Sequence, residues 1–321
     1  MEYQRQTRIW GVAAIVLAVV IRLLSAGFFQ PLAQILRQQE LTGFILYMET
    51  GWVVRFDMPM PEETAPEPTD PPEEDTPPEQ GKLTFTEEDL VPLQYHCSHR
   101  PALLELLNRP LSWTPAEEGP TVLIVHTHAT ETYTGEDIAY SGTYRTLDDH
   151  NNMVSIGKEV ARVLEAGGVE VIHDKTLHDY PNYNGAYESS RNAIAAYLQK
   201  YPSIRMVLDI HRDASADAQG TLRTSATVAG QNSAQLMMVV GTQSKRWEEN
   251  LSLGLKLSAL LEQINPGICR PIDLRSERFN VDLSAGSLLV EVGGTGNTHE
   301  EAVIAANALA QAVLELIMDN G

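Results

Sequence analysis

Three stretches of the 321-residue chain place reactive side chains directly after apolar runs. TVLIV (121–125) leads into His126, Thr127, His128, Ala129, Thr130 and Glu131. IRMVLDI (204–210) leads into His211, Arg212 and Asp213, and SLLVE (287–291) ends on Glu291 before Val292, Gly293 and Gly294. A catalytic zinc ion takes about three protein ligands from His and carboxylate and keeps one position open. His128 and Glu131 can supply two ligands from one turn, and His211 a third from another run. Bound zinc lowers the pKa of water toward about 7 and polarises a carbonyl. A separate carboxylate must then take the water's proton and pass it to the leaving amine. Glu291, at the end of an apolar run, suits that task.

Each residue also has a plainer reading. A His after a strand is more often a capping or hydrogen-bonding residue, and Glu291 could be an ion-pair partner of Arg212 or Arg145. The convergence carries more than any one residue. His126 competes with His128 as first ligand; its side chain leaves the strand on the opposite face, where it would otherwise support the site from behind. Arg212 suits a substrate carboxylate and Asp213 suits support of a ligand. His96, His99, His150, His173 and His178 read as structural or exposed, and His299 as solvated within a helix cap.

The elements that must position these groups alternate. Met153, Ile156, Val160, Val163 and Leu164 recur at helical spacing until Gly167-Gly168, and VEVI (169–172) follows as a strand. A helix is expected over 187–200, a strand over 204–210, another (QLMMVV) over 235–240, a helix over 251–264 and a strand over 287–291. Thr298 and Glu301 form a capping box for a last helix to about Met318. Residues 83–120, with Leu103, Leu104, Leu106 and Leu107, read as a helical lead-in. Strands alternating with helices predict an α/β fold with a mostly parallel central sheet flanked by helices. Such sheets place their sites at the carboxyl ends of the strands.

The rest of the chain is organised differently. Residues 9–29, IWGVAAIVLAVVIRLLSAGFF, have the length to span a bilayer as a helix, with Arg22 inside. Arg5 and Arg8 before them favour a cytoplasmic N-terminus and an extracytoplasmic remainder. The alternative is a signal peptide cleaved near Ser25-Ala26-Gly27; either way the rest is exported. The expected organisation is therefore a cytoplasmic tip and transmembrane anchor (1–29), a juxtamembrane segment (30–57), a Pro/acidic disordered linker (58–82) and a catalytic domain (83–321). The formal charge of −20 argues against nucleic acid as a partner. Two cysteines, Cys97 and Cys269, exclude a disulfide framework and leave one bridge or two thiols open.

At PTVLIVHTHATETY (120–133), NNMVSIGKEVARVLE (151–165), VIHDKTLHDYPNYNGAYESS (171–190), LDIHRDA (208–214) and LLVEVGGTGNTHEEA (288–302), the chain resembles the stage II sporulation protein P family. The resemblance implies a peptidoglycan hydrolase of endospore formers, with a fold like that of zinc N-acetylmuramoyl-L-alanine amidases. It further implies cleavage of the lactyl–alanine amide, an endopeptidase activity on stem-peptide cross-links, and action at the sporulation septum with a lytic transglycosylase of the engulfment complex. It maps His128 and His211 onto ligands and Glu291 onto the catalytic glutamate. The amidases' glutamate ligand has no counterpart here: near its place stand Asp148, Asp149, His150 and Asn151. Glu131 is the ligand by chemistry, with Asp149 or His150 as alternatives. Two other readings compete: a zinc carboxypeptidase-like peptidase and a non-catalytic wall-binding scaffold.

Overall fold

The computed structural model describes residues 83–134, 144–215 and 220–320. The expected anchor, juxtamembrane segment and linker lie outside the described residues. Within them, seven strands form one sheet in the order β1-β8-β7-β9-β4-β2-β3. In chain order these are β1 (Leu93–His96), β2 (Val122–Val125), β3 (Val171–His173), β4 (Met206–Asp213), β7 (Leu236–Gly241), β8 (Ile272–Arg275) and β9 (Ser287–Gly294). A separate hairpin pairs β5 (Ala226–Val228) with β6 (Gln231–Ser233). The helices are α1 (Leu103–Asn108), α2 (Met153–Ala166), α3 (Ala186–Lys200), α4 (Trp247–Ile264) and α5 (His299–Asp319).

The expected alternation is present, and all neighbouring strands of the large sheet are parallel except β7 and β9. That single antiparallel pair splits the sheet into two parallel halves of opposite direction. β2, β4, β7 and β9 are apolar runs buried along almost their whole length, as strands covered on both faces must be. Leu123, Val125 and Val207 pack with Ile194 and Ile204 beneath α3. The opposite face takes α2, whose Gly157 lies against His126, and α2 in turn packs on α5.

Helix ends follow the local chemistry. Asn152 caps α2 by accepting from the Val154 N–H, and Gly168 follows its C-terminus at φ +85°. Thr298 and Glu301 form the expected capping box of α5. By length and composition α5 could cross a membrane, but 67% of its most apolar stretch is buried inside the protein. Its apolarity is accounted for by the core.

The lead-in over 83–120 differs from expectation. It holds a 3-10 turn at Glu87–Asp89 and the short α1, and it contributes an edge strand, β1, whose alternating LQYH is half-buried. β8 and the β5–β6 hairpin are likewise beyond the expected set. β4 runs three residues further than its apolar pattern, so His211, Arg212 and Asp213 stand within the strand. Cys97 and Cys269 are unbonded thiols.

Candidate active site

β4 and β9 are paired so that His211 and Glu291 stand opposite one another. Alternation along each strand puts them on the α3 face, in line with Val207 and Leu289. His128 follows the end of β2 and meets His211 edge to face, with ring centroids 5.4 Å apart. Glu131, one turn on, presents Oε2 at 3.8 Å from His211 Nδ1. Its Oε1 is taken by Arg212 Nη1 at 3.2 Å and by Arg145 Nη2 at 3.5 Å. Oε1 is thus anchored by two guanidinium groups, while Oε2 accepts from the Arg212 N–H at 3.5 Å and faces the imidazole. The loop carrying His128 and Glu131 is tied to β9 as well: the Tyr133 hydroxyl donates to the Val292 carbonyl, next to Glu291.

The electrostatics follow from burial among carboxylates. Burial alone would lower His211, but Asp209, Glu291 and Glu131 outweigh it and hold the imidazole at about 9. Burial lowers His128 to about 4, and the neighbouring His211 adds to that shift. Glu291 is half-buried as a residue, yet its Oε2 is sealed from solvent, and burial raises its carboxyl to about 8. The opposing pull of His211 is the smaller effect.

His128, Glu131, His211 and Glu291 are therefore brought together. His126 is not with them: its Nδ1 donates to the Ile210 carbonyl at 3.0 Å, and its Nε2 lies 2.9 Å from His173 Nε2. With Nδ1 as donor, Nε2 accepts from His173. Arg212 is 4% exposed and fully engaged inside the protein, with Glu131 and with the carbonyls of Thr132 and Tyr144. Asp213 accepts from the Ser215 N–H and pairs with Arg270 at 2.7 Å. Asp148, Asp149 and His150 form a separate exposed cluster, partnered by one another and Asn151. His299 is held rather than solvated, with Nε2 2.6 Å from Ser155 Oγ.

Asp209, Asp179 and Tyr183, which sequence reasoning did not single out, join the site. Asp209 Oδ1 lies 2.9 Å from His211 Nε2, a close ionic contact off the line of the ring N–H. The Thr127 N–H and hydroxyl hold that carboxylate from the other side. Burial works against its charge, but His211 and the Thr127 donors hold it below the usual carboxylate range. Asp179 Oδ2 approaches His128 Nδ1 at 3.9 Å and is bound by Thr130 and Arg145. Tyr183 stacks on His128 at 4.7 Å, and the Arg145 guanidinium lies over the Tyr183 ring. A signal existed for Asp209 alone, as a charge inside an apolar strand run.

The donor types suit a zinc ion, although among the described residues it is Asp148, Asp149 and His150 that bring three ligand atoms within 4.8 Å of one another. His128 Nδ1, His211 Nε2 and Glu291 Oε2 are buried polar atoms without a hydrogen-bond partner, which a folded protein seldom leaves uncompensated. His128 and His211, with the Glu131 carboxylate beside them, are ligand types that zinc selects, and Glu291 adds a carboxylate oxygen without a protein partner. Asp209 meets His211 at Nε2, so it can serve as the carboxylate that orients a ligating His only with Nδ1, the nitrogen that faces Glu131 Oε2, turned to the metal.

Fold and site together define an α/β protein with an imidazole–carboxylate centre at the carboxyl ends of β2, β4 and β9. The chain belongs to the family described as Stage II sporulation protein P (SpoIIP), which it matches over residues 37–314. It is 30% identical over 211 residues to "Stage II sporulation protein P" of Bacillus subtilis (strain 168), covering 62% of this chain and 51% of that protein. The chain thus spans about half the length of the curated relative it matches. Among solved structures it is similar to the N-acetylmuramoyl-L-alanine amidase AmiC2 of Nostoc punctiforme, at 17% identity and TM-score 0.40, covering 62% of this chain and 98% of that one. It is similar also to the CwlD amidase from Clostridioides difficile in complex with the GerS lipoprotein, at 13% identity and TM-score 0.40, covering 60% and 94%.

Proposed function

We propose that this chain is a zinc-dependent peptidoglycan hydrolase that cuts the N-acetylmuramoyl-L-alanine amide bond, and stem-peptide cross-links as well, during sporulation engulfment. The reading includes an N-terminal membrane anchor, an acidic linker and a catalytic domain on the extracytoplasmic side, working beside a lytic transglycosylase. Family membership supports the sporulation setting. The observation that carries the chemistry is the cross-strand pair His211–Glu291, with His128 and Glu131 converging on it and buried polar atoms left without partners.

His128, Glu131 and His211 would hold the ion. When bound, zinc supplies Lewis-acid polarisation of the scissile carbonyl and acidification of an attacking water. Asp209 fixes the His211 ring, and Arg212 fixes the Glu131 carboxylate. Glu291 accepts the water's proton at its carboxylate and delivers it to the leaving nitrogen, so the amine departs neutral. Its position on a buried strand keeps that carboxylate from swinging away.

The test is mass analysis of fragments released from purified peptidoglycan by the full chain, with zinc measured on the same preparation. Free, intact stem peptides and about one zinc per chain are expected, with the zinc lost in His128→Ala and in His211→Ala. Release of terminal D-alanine alone would make it a carboxypeptidase-like enzyme. Wall binding without metal or release would make it a scaffold.

A further inference from the structure

Beside the reacting centre lies a small pocket of about 140 Å³ lined by Thr130, Arg145, Leu147, Asp179, Tyr180 and Tyr183, with Thr146 completing it. Pockets that enclose a whole small ligand are commonly about 300–1,000 Å³. This one has room for a single ring-sized group of something larger. Its accessible surface is mostly apolar side chain: Tyr180 is 53% exposed, Tyr183 50% and Leu147 43%. Tyr180 and Leu147 thus offer apolar faces to solvent beside a centre of buried charges.

The charge of the lining narrows the ligand. Arg145 is the one cation among the lining residues, and it is already met by Asp179 at 2.8 Å and Glu131 at 3.5 Å. Two carboxylates against one guanidinium leave no positive charge to receive an acidic group. A stem peptide, which brings carboxylates, is therefore disfavoured here. A neutral pyranose meets the lining on its own terms. Its C–H face packs on a tyrosine ring, and its hydroxyls and acetamido carbonyl can bond to the edge of Arg145. Tyr183 stacks directly on His128, so a ring held here sits next to the bond to be cut.

We propose that this pocket is a glycan subsite that takes one neutral N-acetylated aminosugar ring of the strand, with Tyr180 as its stacking platform. The inference rests on the proposed function only in naming the wall as substrate. Its position also assigns direction: the glycan lies on the Tyr180 side of His128, and the peptide leaves on the side of Glu291.

The experiment is calorimetric titration of the full chain, in detergent, with β-1,4-linked N-acetylglucosamine tetramer. That ligand has no lactyl–peptide amide and cannot be cut, so binding is read without turnover. Saturable binding is expected. It should weaken at least about tenfold in Tyr180→Ala, as for loss of a ring at the centre of a contact, and return in Tyr180→Phe and Tyr180→Trp. Thermal melting of each variant confirms folding, which an exposed position should preserve. No binding at millimolar tetramer, or equal binding by wild type and Tyr180→Ala, overturns the subsite. Tyr180-dependent binding of an isolated acidic stem peptide overturns it too. Intact wall hydrolysis with no tetramer binding sinks the subsite alone, whereas Tyr180-dependent binding with no hydrolysis sinks the proposed function alone.

Discussion

Glu291 separates proton transfer from metal holding. Its carboxyl is raised by burial, and its Oε2 has no protein partner. Glu291→Gln keeps the shape of the side chain but cannot take a proton. Zinc content should therefore stay at the wild-type level while turnover falls by roughly 10²–10⁴-fold. Zinc lost together with activity would make Glu291 a ligand and hand the base role to Glu131. A second residue sets acid stability. Burial works to raise Asp174, yet hydrogen bonds from His178 Nε2 and from the Thr176 N–H and hydroxyl outweigh it and hold the carboxyl at about 2. A folded pKa below the unfolded value of 3.8 means stability that is fully present above about pH 4 and lost as pH falls toward 2. Melting followed from pH 6 to pH 2 should show Asp174→Asn well below wild type at the top of that range, with the gap closing at the bottom. A gap that stayed constant with pH would remove Asp174 from the acid response.

Among the elements, α2 shows how a helix can be shaped by what it covers. A Cβ on Gly157 would stand 2.4 Å from His126 Nε2 and 2.7 Å from His173 Nε2. Alanine improves helix propensity by about 1 kcal/mol. Forcing two hydrogen-bonded rings apart costs about 1–3 kcal/mol by overpacking, and the bond from His126 to the Ile210 carbonyl would be lost with it. Gly157→Ala should lower stability by on the order of 2 kcal/mol, or roughly 4–8 °C in the melting midpoint of a domain of this size. An unchanged or higher midpoint would mean that the histidine pair yields. The same histidines show where sequence reading works. Period-two alternation was enough to put His126 on the face away from His211. It could not identify His173 as its neighbour, because that contact joins two strands across 47 positions. The buried runs of β2, β4, β7 and β9 announced themselves by apolarity. LQYH of β1 and IDLR of β8 did not, since a short strand that carries charge looks like a loop. The reversal between β7 and β9 was equally hidden, because a strand covered on both faces reads the same in either direction. Asp179 had no local signal; its role depends on Thr130 and Arg145, which only the fold brings to it.

For the molecule as a whole, the described residues carry their own core, and β1 and α1 are packed into it through β8 and α4. A chain of residues 83–321 should therefore melt cooperatively at the midpoint of the full chain and match the full chain's zinc content; a broad or lowered transition would mean that earlier residues complete the fold. The point of entry into this core has a mechanical consequence. β1 is the outermost strand on one side, separated from β4 by β8, β7 and β9. β1 is held to β8 over Leu93–His96, so a pull arriving from residue 83 meets that edge ladder first. Tension would have to peel away the far edge before it reached His211. On the proposed reading of a tethered hydrolase, the chain could be dragged along a stiff, stretched polymer with its cutting site still aligned.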